Sequence, residues 1–281
     1  MSGQLTLRAA RSVPGTRGVP AALGFLPIGM LNLVLFALPM LVLACASVLR
    51  IREFTVTSTL TLDNYAFFLE RPLYLWIFLK TVSLSLAVTG LCIVIAYPFA
   101  LFLIGLPAQL QKPLLALVIL PFWTSYLLRI YAWMTILGER GLVNKALIGL
   151  GVLGAPARVL LYSDFAVVIV CTYLYVPYSI LALYTTLERL DWALVRAALD
   201  LGARPRQVFR HVLLPLSLPG IFTSFILVFI PMVGEYVTPA LVGGARGLLI
   251  MNVIVSQVQA LRFGIGSAMA FVVVGLIVAM V

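Results

Sequence analysis

Six apolar runs constrain this chain more than any other feature. They cover Phe25–Leu49, Lys80–Ile104, Leu114–Leu137, Phe165–Leu187, Pro219–Leu241 and Gly264–Val281. A helix needs about 20 residues to cross the hydrocarbon core of a bilayer. In lipid every backbone polar group must be paired within the segment, which a helix does and an open strand does not. The runs therefore predict an all-α membrane protein with six transmembrane helices. Composition agrees: 63% of residues are hydrophobic and only 10% charged, against about 25% charged in a soluble domain. An ordinary cytosolic enzyme and a disordered chain are excluded.

The net charge of +10 comes from 19 Lys and Arg scattered between the apolar runs. No basic domain forms, so the charge reads as membrane-surface and topology charge, with no nucleic acid as partner. Lys and Arg divide evenly between the two sides, so the charge rule does not orient the chain. Arg8, Arg11 and Arg17 lie in an N-terminal tail, residues 1–24. The motif Val42-Leu43-Ala44-Cys45 resembles a lipoprotein cleavage box. Its run is too long for a signal segment and further spans follow, so it reads as a retained span. The three cysteines (Cys45, Cys92, Cys171) lie in apolar runs and the single histidine is His211. Neither a disulfide framework nor a metal site follows. The chain carries no GxxxxGK[ST] loop for ATP and no Ser/His/Asp set, so it offers no catalytic residues.

The connections differ in character. Arg50–Ile77 mixes charges and aromatics and predicts a short interfacial helix over Leu62–Leu69. Gly138–Asp164 reads as a loop with one helical turn, and Gly243-Gly244-Ala245-Arg246-Gly247 as a flexible turn. Residues 188–216 predict a hairpin. Asp191 can cap a helix over Trp192–Leu201, and Gly202 can end it in the left-handed conformation. Pro205 suits the first turn of a second helix, Pro205–Leu213. Pro215 and Pro219 then separate the hairpin from the next span.

These residues resemble a known family. Arg196-Ala197-Ala198-Leu199-Asp200-Leu201-Gly202-Ala203, then Val208-Phe209 and Leu214-Pro215, look like the EAA loop of binding-protein-dependent ABC importer permeases. The loop also falls between the fourth and fifth spans, as in that family. Arg196 stands where the family usually has Glu. Leu62-Asp63-Asn64-Tyr65, Tyr97-Pro98, Pro121-Phe122-Trp123-Thr124-Ser125, Arg129-Ile130-Tyr131-Ala132-Trp133, Gly141-Leu142-Val143-Asn144 and Gly234-Glu235-Tyr236-Val237-Thr238-Pro239 are similar to spermidine/putrescine-type permeases.

The resemblance implies a type I ABC importer permease-like fold in a bacterial inner membrane, with both termini cytoplasmic. It implies a tail over 1–24 and a permease domain over 25–281. The hairpin 188–216 would couple to the ATPase through Arg196, Ala197, Ala198, Gly202, Ala203, Arg204, Pro205, Val208 and Phe209. The implied partners are an ATP-binding subunit dimer, a second permease chain (often a different one, giving a heterodimer), a periplasmic solute-binding protein and the lipid bilayer. No cofactor is bound by this chain; ATP and Mg belong to the partner ATPase. The implied function is a non-catalytic pore subunit importing a small organic solute, best a polyamine, by alternating access. The alternatives are another solute (phosphonate, opine or amino-acid-like) or a stand-alone secondary transporter. The latter usually shows two related halves, and no internal repeat is visible.

Two charges fall well within predicted spans, Arg129 and Glu235, while Lys80 lies at the edge of one. Intramembrane charges are costly and normally face protein or a water-filled path. At matched depth the two can pair as a brace, or serve as a gate or solute contact. Trp123, Tyr126, Tyr131, Tyr173 and Tyr178 are further candidates for the path, because aromatic faces attract alkylammonium groups. Thr81, Ser85 and Thr89 share one helix face, as either path lining or close packing.

Overall fold

The computed structural model describes residues 29–52 and 55–280; the tail 1–24 and the first residues of the first run lie outside them. The chain divides into two units, Met1–Cys45 and Ala46–Val281. Helix α1 (Gly29–Val48) holds the first apolar run, with a wide π turn at Leu33–Ala37. A hairpin of β1 (Leu49–Arg52) and β2 (Thr55–Leu60) follows, with Arg50 opposite Thr57 and Arg52 opposite Thr55. The sequence reading did not foresee it. The alternating Thr and Val of β2 have the branched side chains that suit a strand. Helix α2 (Asp63–Leu69) is the expected interfacial helix. Asn64 ties it back to the carbonyls of Ser47 and Leu49 at 2.8 and 3.1 Å.

Helix α3 (Pro72–Gly105) has 34 residues, about 51 Å at 1.5 Å per residue. It starts eight residues before the predicted span and is longer than the hydrocarbon core of a bilayer, about 30 Å. The third apolar run is not one helix. Helix α4 (Ala108–Ile119) runs on through a 3-10 turn, Leu120–Trp123, and α5 (Tyr126–Leu137) leaves it. The pair is bent by 90°. Thr124 and Ser125 are extended at the break. Pro121 lacks the N–H that would continue the α-helical ladder.

The loop after α5 is more ordered than expected. It contains α6 (Leu142–Gly149) and a 3-10 turn at Arg158–Leu160. Asn144 is fully buried and staples the loop. Its amide donates to the Gly138 and Ala157 carbonyls and accepts from the Ala157 N–H at 2.8 Å. Helix α7 (Asp164–Glu188) carries the fourth span, capped by Ser163, whose hydroxyl accepts from the Ala166 N–H. Helix α8 (Trp192–Asp200) follows.

The largest departure is helix α9, Pro205–Val233. The second helix of the hairpin does not stop at Leu213, and Pro215 and Pro219 do not separate it from the span. A π turn at Phe209–Leu213 precedes Pro215, with the Leu214 N–H bonded to the Phe209 carbonyl. That wide turn gives room for the proline ring where it would clash with the turn before it. Helix α9 ends at Gly234. Glu235 therefore lies outside any helix, in the link to α10 (Val237–Val242). Helices α11 (Ile250–Gln259) and α12 (Phe263–Met280) complete the described chain.

The second unit is built around α3, α7 and α9, which pack on one another through Val88, Cys92, Val170, Leu174, Val228 and Met232 in one cluster and Ala96, Ala100, Ile180 and Leu183 in another. Polar contacts register the three helices: Tyr97 and Ser217 at 2.8 Å, and Ser224 donating to Ser179 at 2.7 Å. Thr81, Ser85 and Thr89 are all buried. Thr89 bonds the Ser85 carbonyl and Thr81 the Ile77 carbonyl, so this face packs helices together. Gly220 lets α9 lie directly on α7, because a Cβ there would meet Thr186 Oγ1 at 2.6 Å. Gly220→Val should therefore lower the thermal stability of the folded protein by about 1–3 kcal/mol, the usual cost of overpacking. Thermal aggregation in detergent measures this; an unchanged midpoint would refute the close approach.

Candidate functional site

The hairpin is built as the sequence suggests at its first helix and its turn. The Asp191 carboxylate accepts from the Ala193 N–H at 2.9 Å, capping α8. Gly202 has φ +85°. The Ala203 N–H reaches the Ala198 carbonyl at 3.1 Å and the Gly202 N–H the Leu199 carbonyl at 2.9 Å, a Schellman ending. Arg204 starts α9 with its N–H donated to Gln207 Oε1 at 2.8 Å, and Pro205 takes the first helical position. The base of the hairpin is fastened to the bundle. Trp192 Nε1 donates to the Leu187 carbonyl, and the Phe209 ring meets Tyr97 edge-on at 5.8 Å.

Arg196, Ala197, Gly202, Arg204 and Pro205 are exposed, and Ala198 and Ala203 half-buried. Leu194, Leu199, Leu201 and Phe209 add exposed apolar surface. Between the two helices lies a groove of ≈ 410 Å³ lined by Leu201, Ala203, Gln207, His211 and Val212 among others. Val208 is buried, so it holds the hairpin together from inside. The arrangement is a firm, basic knob with an apolar tip.

The intramembrane charges are not a pair. Glu235 is buried and satisfied by neutral donors. Its Oε2 accepts from the Tyr126 hydroxyl at 2.6 Å and the Tyr175 hydroxyl at 2.9 Å. Its Oε1 accepts from the N–H groups of Val237 and Thr238 at 3.0 and 3.2 Å, capping α10. Once α9 ends at Gly234, the carboxylate belongs to the first turn of α10, where free N–H groups await an acceptor. Arg129 instead stacks on aromatic rings, Phe122 at 5.2 Å and Tyr126 at 5.9 Å, with its Nε buried and unbonded. Tyr126 meets both charges, through its hydroxyl at Glu235 and its ring at Arg129.

Arg129 and Tyr173 line a cavity of ≈ 580 Å³ between α3, α4, α5 and α7, with Phe122, Trp133, Thr172 and Pro177. Its wall is almost wholly apolar. Tyr178 packs on Phe122 at 4.9 Å beside it, and Tyr173 on Trp133 at 5.4 Å. Trp123 and Tyr131 are exposed near the bend of the third span and line neither the cavity nor the Glu235 site. Tyr175 stands among the span-four aromatics with Tyr173 and Tyr178, but nothing in its spacing marks it as a partner of Glu235.

Comparison with known proteins decides the family. A family model described as binding-protein-dependent transport system inner membrane component matches residues 94–281. The chain belongs to that family. Among binding-protein-dependent permeases, the spermidine/putrescine transport system permease protein PotB of Escherichia coli (strain K12) is 37% identical over 250 residues, 88% of this chain and 90% of that protein. The protein of the same name from Haemophilus influenzae is 41% identical over 218 residues, 78% of this chain and 76% of that one. A crystal structure of a bacterial alginate ABC transporter with its alginate-bound periplasmic protein superposes with a TM-score of 0.66 at 16% identity, covering 92% of this chain and 90% of the other; it shows the fold. This permease is thus a multi-pass inner-membrane protein of type I fold and a non-catalytic transport component, in a family whose members carry no cofactor of their own.

Proposed function

We propose that this permease forms one half of the transmembrane pathway of an ATP-driven importer carrying a polyamine, such as spermidine or putrescine, from periplasm to cytoplasm. The observation that carries the reading is the hairpin. A Schellman-ended helix and a helix continuous with a membrane span present an exposed apolar and basic tip, shaped for a cleft in another protein. The partner is an ATP-binding subunit dimer, on which ATP and Mg are bound. The other partners are a second permease chain and a periplasmic solute-binding protein. The hairpin 188–216 and the tail 1–24 are cytoplasmic in this reading, as are both termini. The identity of 37–41% to spermidine/putrescine permeases supports the polyamine.

Neither intramembrane charge is a ready station for a polycation. Glu235 already has four donors, and the apolar cavity carries the positive Arg129. Arg129 favours a second reading, an organic anion such as a phosphonate or opine. Uptake of radiolabelled spermidine and of a phosphonate, in cells with and without this permease, separates the two. Loss of spermidine uptake alone on deletion is the expected result; loss of phosphonate uptake alone would overturn the polyamine.

Orientation has its own test. In a cysteine-free background, Arg206→Cys should be labelled by an impermeant maleimide only from the cytoplasmic side. Val152→Cys should be labelled only from outside. Both positions are exposed, whereas Asn144 in the same outer loop is fully buried. The reverse pattern would overturn the topology.

A further inference from the structure

Lys80 belongs to none of the sites above, yet it is the most constrained lysine in the described structure. It lies in the third turn of α3 and is 9% exposed. Its Nζ is 2.6 Å from Asp164 Oδ1 at the start of α7, and it donates to the carbonyl of Arg246. The ammonium also sits 5.3 Å from the centre of the Trp76 ring. The next residue, Thr81, accepts the N–H of Ile250 at 2.9 Å. Two consecutive side chains of α3 therefore grip both ends of the stretch between Arg246 and Ile250, where the glycine loop leads into α11.

That loop is wedged, contrary to its reading as a flexible turn. A Cβ on Gly247 would stand 2.2 Å from Gly243 Cα, and one on Gly244 would stand 2.8 Å from Tyr162 Cβ. Tyr162 and Gly244 are both left-handed, at φ 60°, a conformation a bulky residue adopts only when its surroundings enforce it. The loop presents exposed Ala245, Arg246 and Leu248 beside exposed Tyr162.

Stability does not explain the lysine. The pair meets at buried atoms, the Lys80 side chain being 8% exposed and Asp164 Oδ1 buried, and the cost of desolvating two charges offsets most of their attraction. An apolar residue would join the helices without desolvating a cation. A lysine with one carboxylate and one carbonyl does something an apolar residue does not: it fixes a loop at one position and direction. We propose that Lys80, with Asp164 and Thr81, is a positioning residue for transport, holding residues 243–249 as a rigid part of the outer mouth where the solute-binding protein engages. This rests on the orientation and importer reading given above.

The test uses the assembled complex of permease chains and ATPase in nanodiscs, with its binding protein loaded with spermidine. Lys80→Met should raise the binding-protein concentration that half-saturates ATP hydrolysis severalfold while keeping the maximal rate. Lys80→Arg should stay near wild type. In a cysteine-free background carrying Ala245→Cys, Lys80→Met should also speed labelling by an impermeant maleimide. Unchanged half-saturation and labelling overturn the proposal. So does a reduced yield whose surviving complexes keep both values, because the pair is then only a brace. If Lys80→Met does not assemble, Thr81→Val, which removes the bond from the Ile250 N–H and the hydroxyl's own bond to the Ile77 carbonyl without freeing a charge, decides by the same readouts. A wild-type complex that responds to no binding protein refutes the importer reading instead; labelling of Ala245→Cys still decides the strut.

Discussion

Gly202→Val should abolish stimulation of ATP hydrolysis by the loaded binding protein and reduce uptake to background, while the chain still inserts and the bundle still folds. The glycine sits at φ +85° with open space where a Cβ would go. The penalty is therefore conformational and not steric crowding by neighbours. A left-handed L-residue costs roughly 1–2 kcal/mol, and a β-branched one more. The short α8 relieves that strain by giving up the two bonds of its Schellman ending, and the hairpin tip loses its shape. Loss should follow backbone tolerance: Gly202→Asn close to wild type, Gly202→Ala intermediate, Gly202→Val worst. Stimulated ATPase activity in the purified complex measures the series. Equal activity in all three variants would show that the left-handed turn is not what the partner reads.

The hairpin was legible because its signals are local. A cap, a left-handed glycine and a first-turn proline act within a few residues, and Asp191, Gly202 and Pro205 all stand where those rules put them. The spans were legible for the same reason, since apolar length depends on no partner. What failed depended on contacts between distant segments or on compensation. Pro215 and Pro219 read as a stop, but the π turn at Phe209–Leu213 absorbs the first and α9 continues. The third run reads as one span by hydropathy, which carries no sign of the bend at Thr124–Ser125. Lys80 read as an edge charge because its partners, Asp164 and the Arg246 carbonyl, are 84 and 166 residues away in the chain. Glu235 read as an intramembrane charge in search of a cation because the end of α9 at Gly234 could not be located to within two residues.

That last shift changes what Glu235 variants should do. With Arg129 elsewhere, Glu235→Gln and Arg129→Met should add and not rescue one another. The coupling should instead appear between Glu235 and the two tyrosines. Hydrogen bonds to an ionised group contribute about 1.5–3 kcal/mol each. Tyr126→Phe or Tyr175→Phe removes one donor and leaves three on the carboxylate, so each should be mildly destabilising. Glu235→Gln keeps one oxygen for the α10 N–H groups and turns its NH₂ toward the phenols, which can accept. Glu235→Ala leaves the Tyr175 phenol and two N–H groups of α10 without an acceptor and the Tyr126 phenol with only Thr238 Oγ1, at 2.9 Å; it should be the most damaging, lowering the yield of folded complex severely. In a double-mutant cycle, Tyr126→Phe with Glu235→Gln should fall short of the sum of the singles, as contacting groups do. Thermal midpoints of the detergent-solubilised complex read the cycle. Recovery of stability in Arg129→Met with Glu235→Gln would mean that the two charges do meet, and the assignment of Glu235 as the cap of α10 and the bridge to α5 and α7 would fall with it.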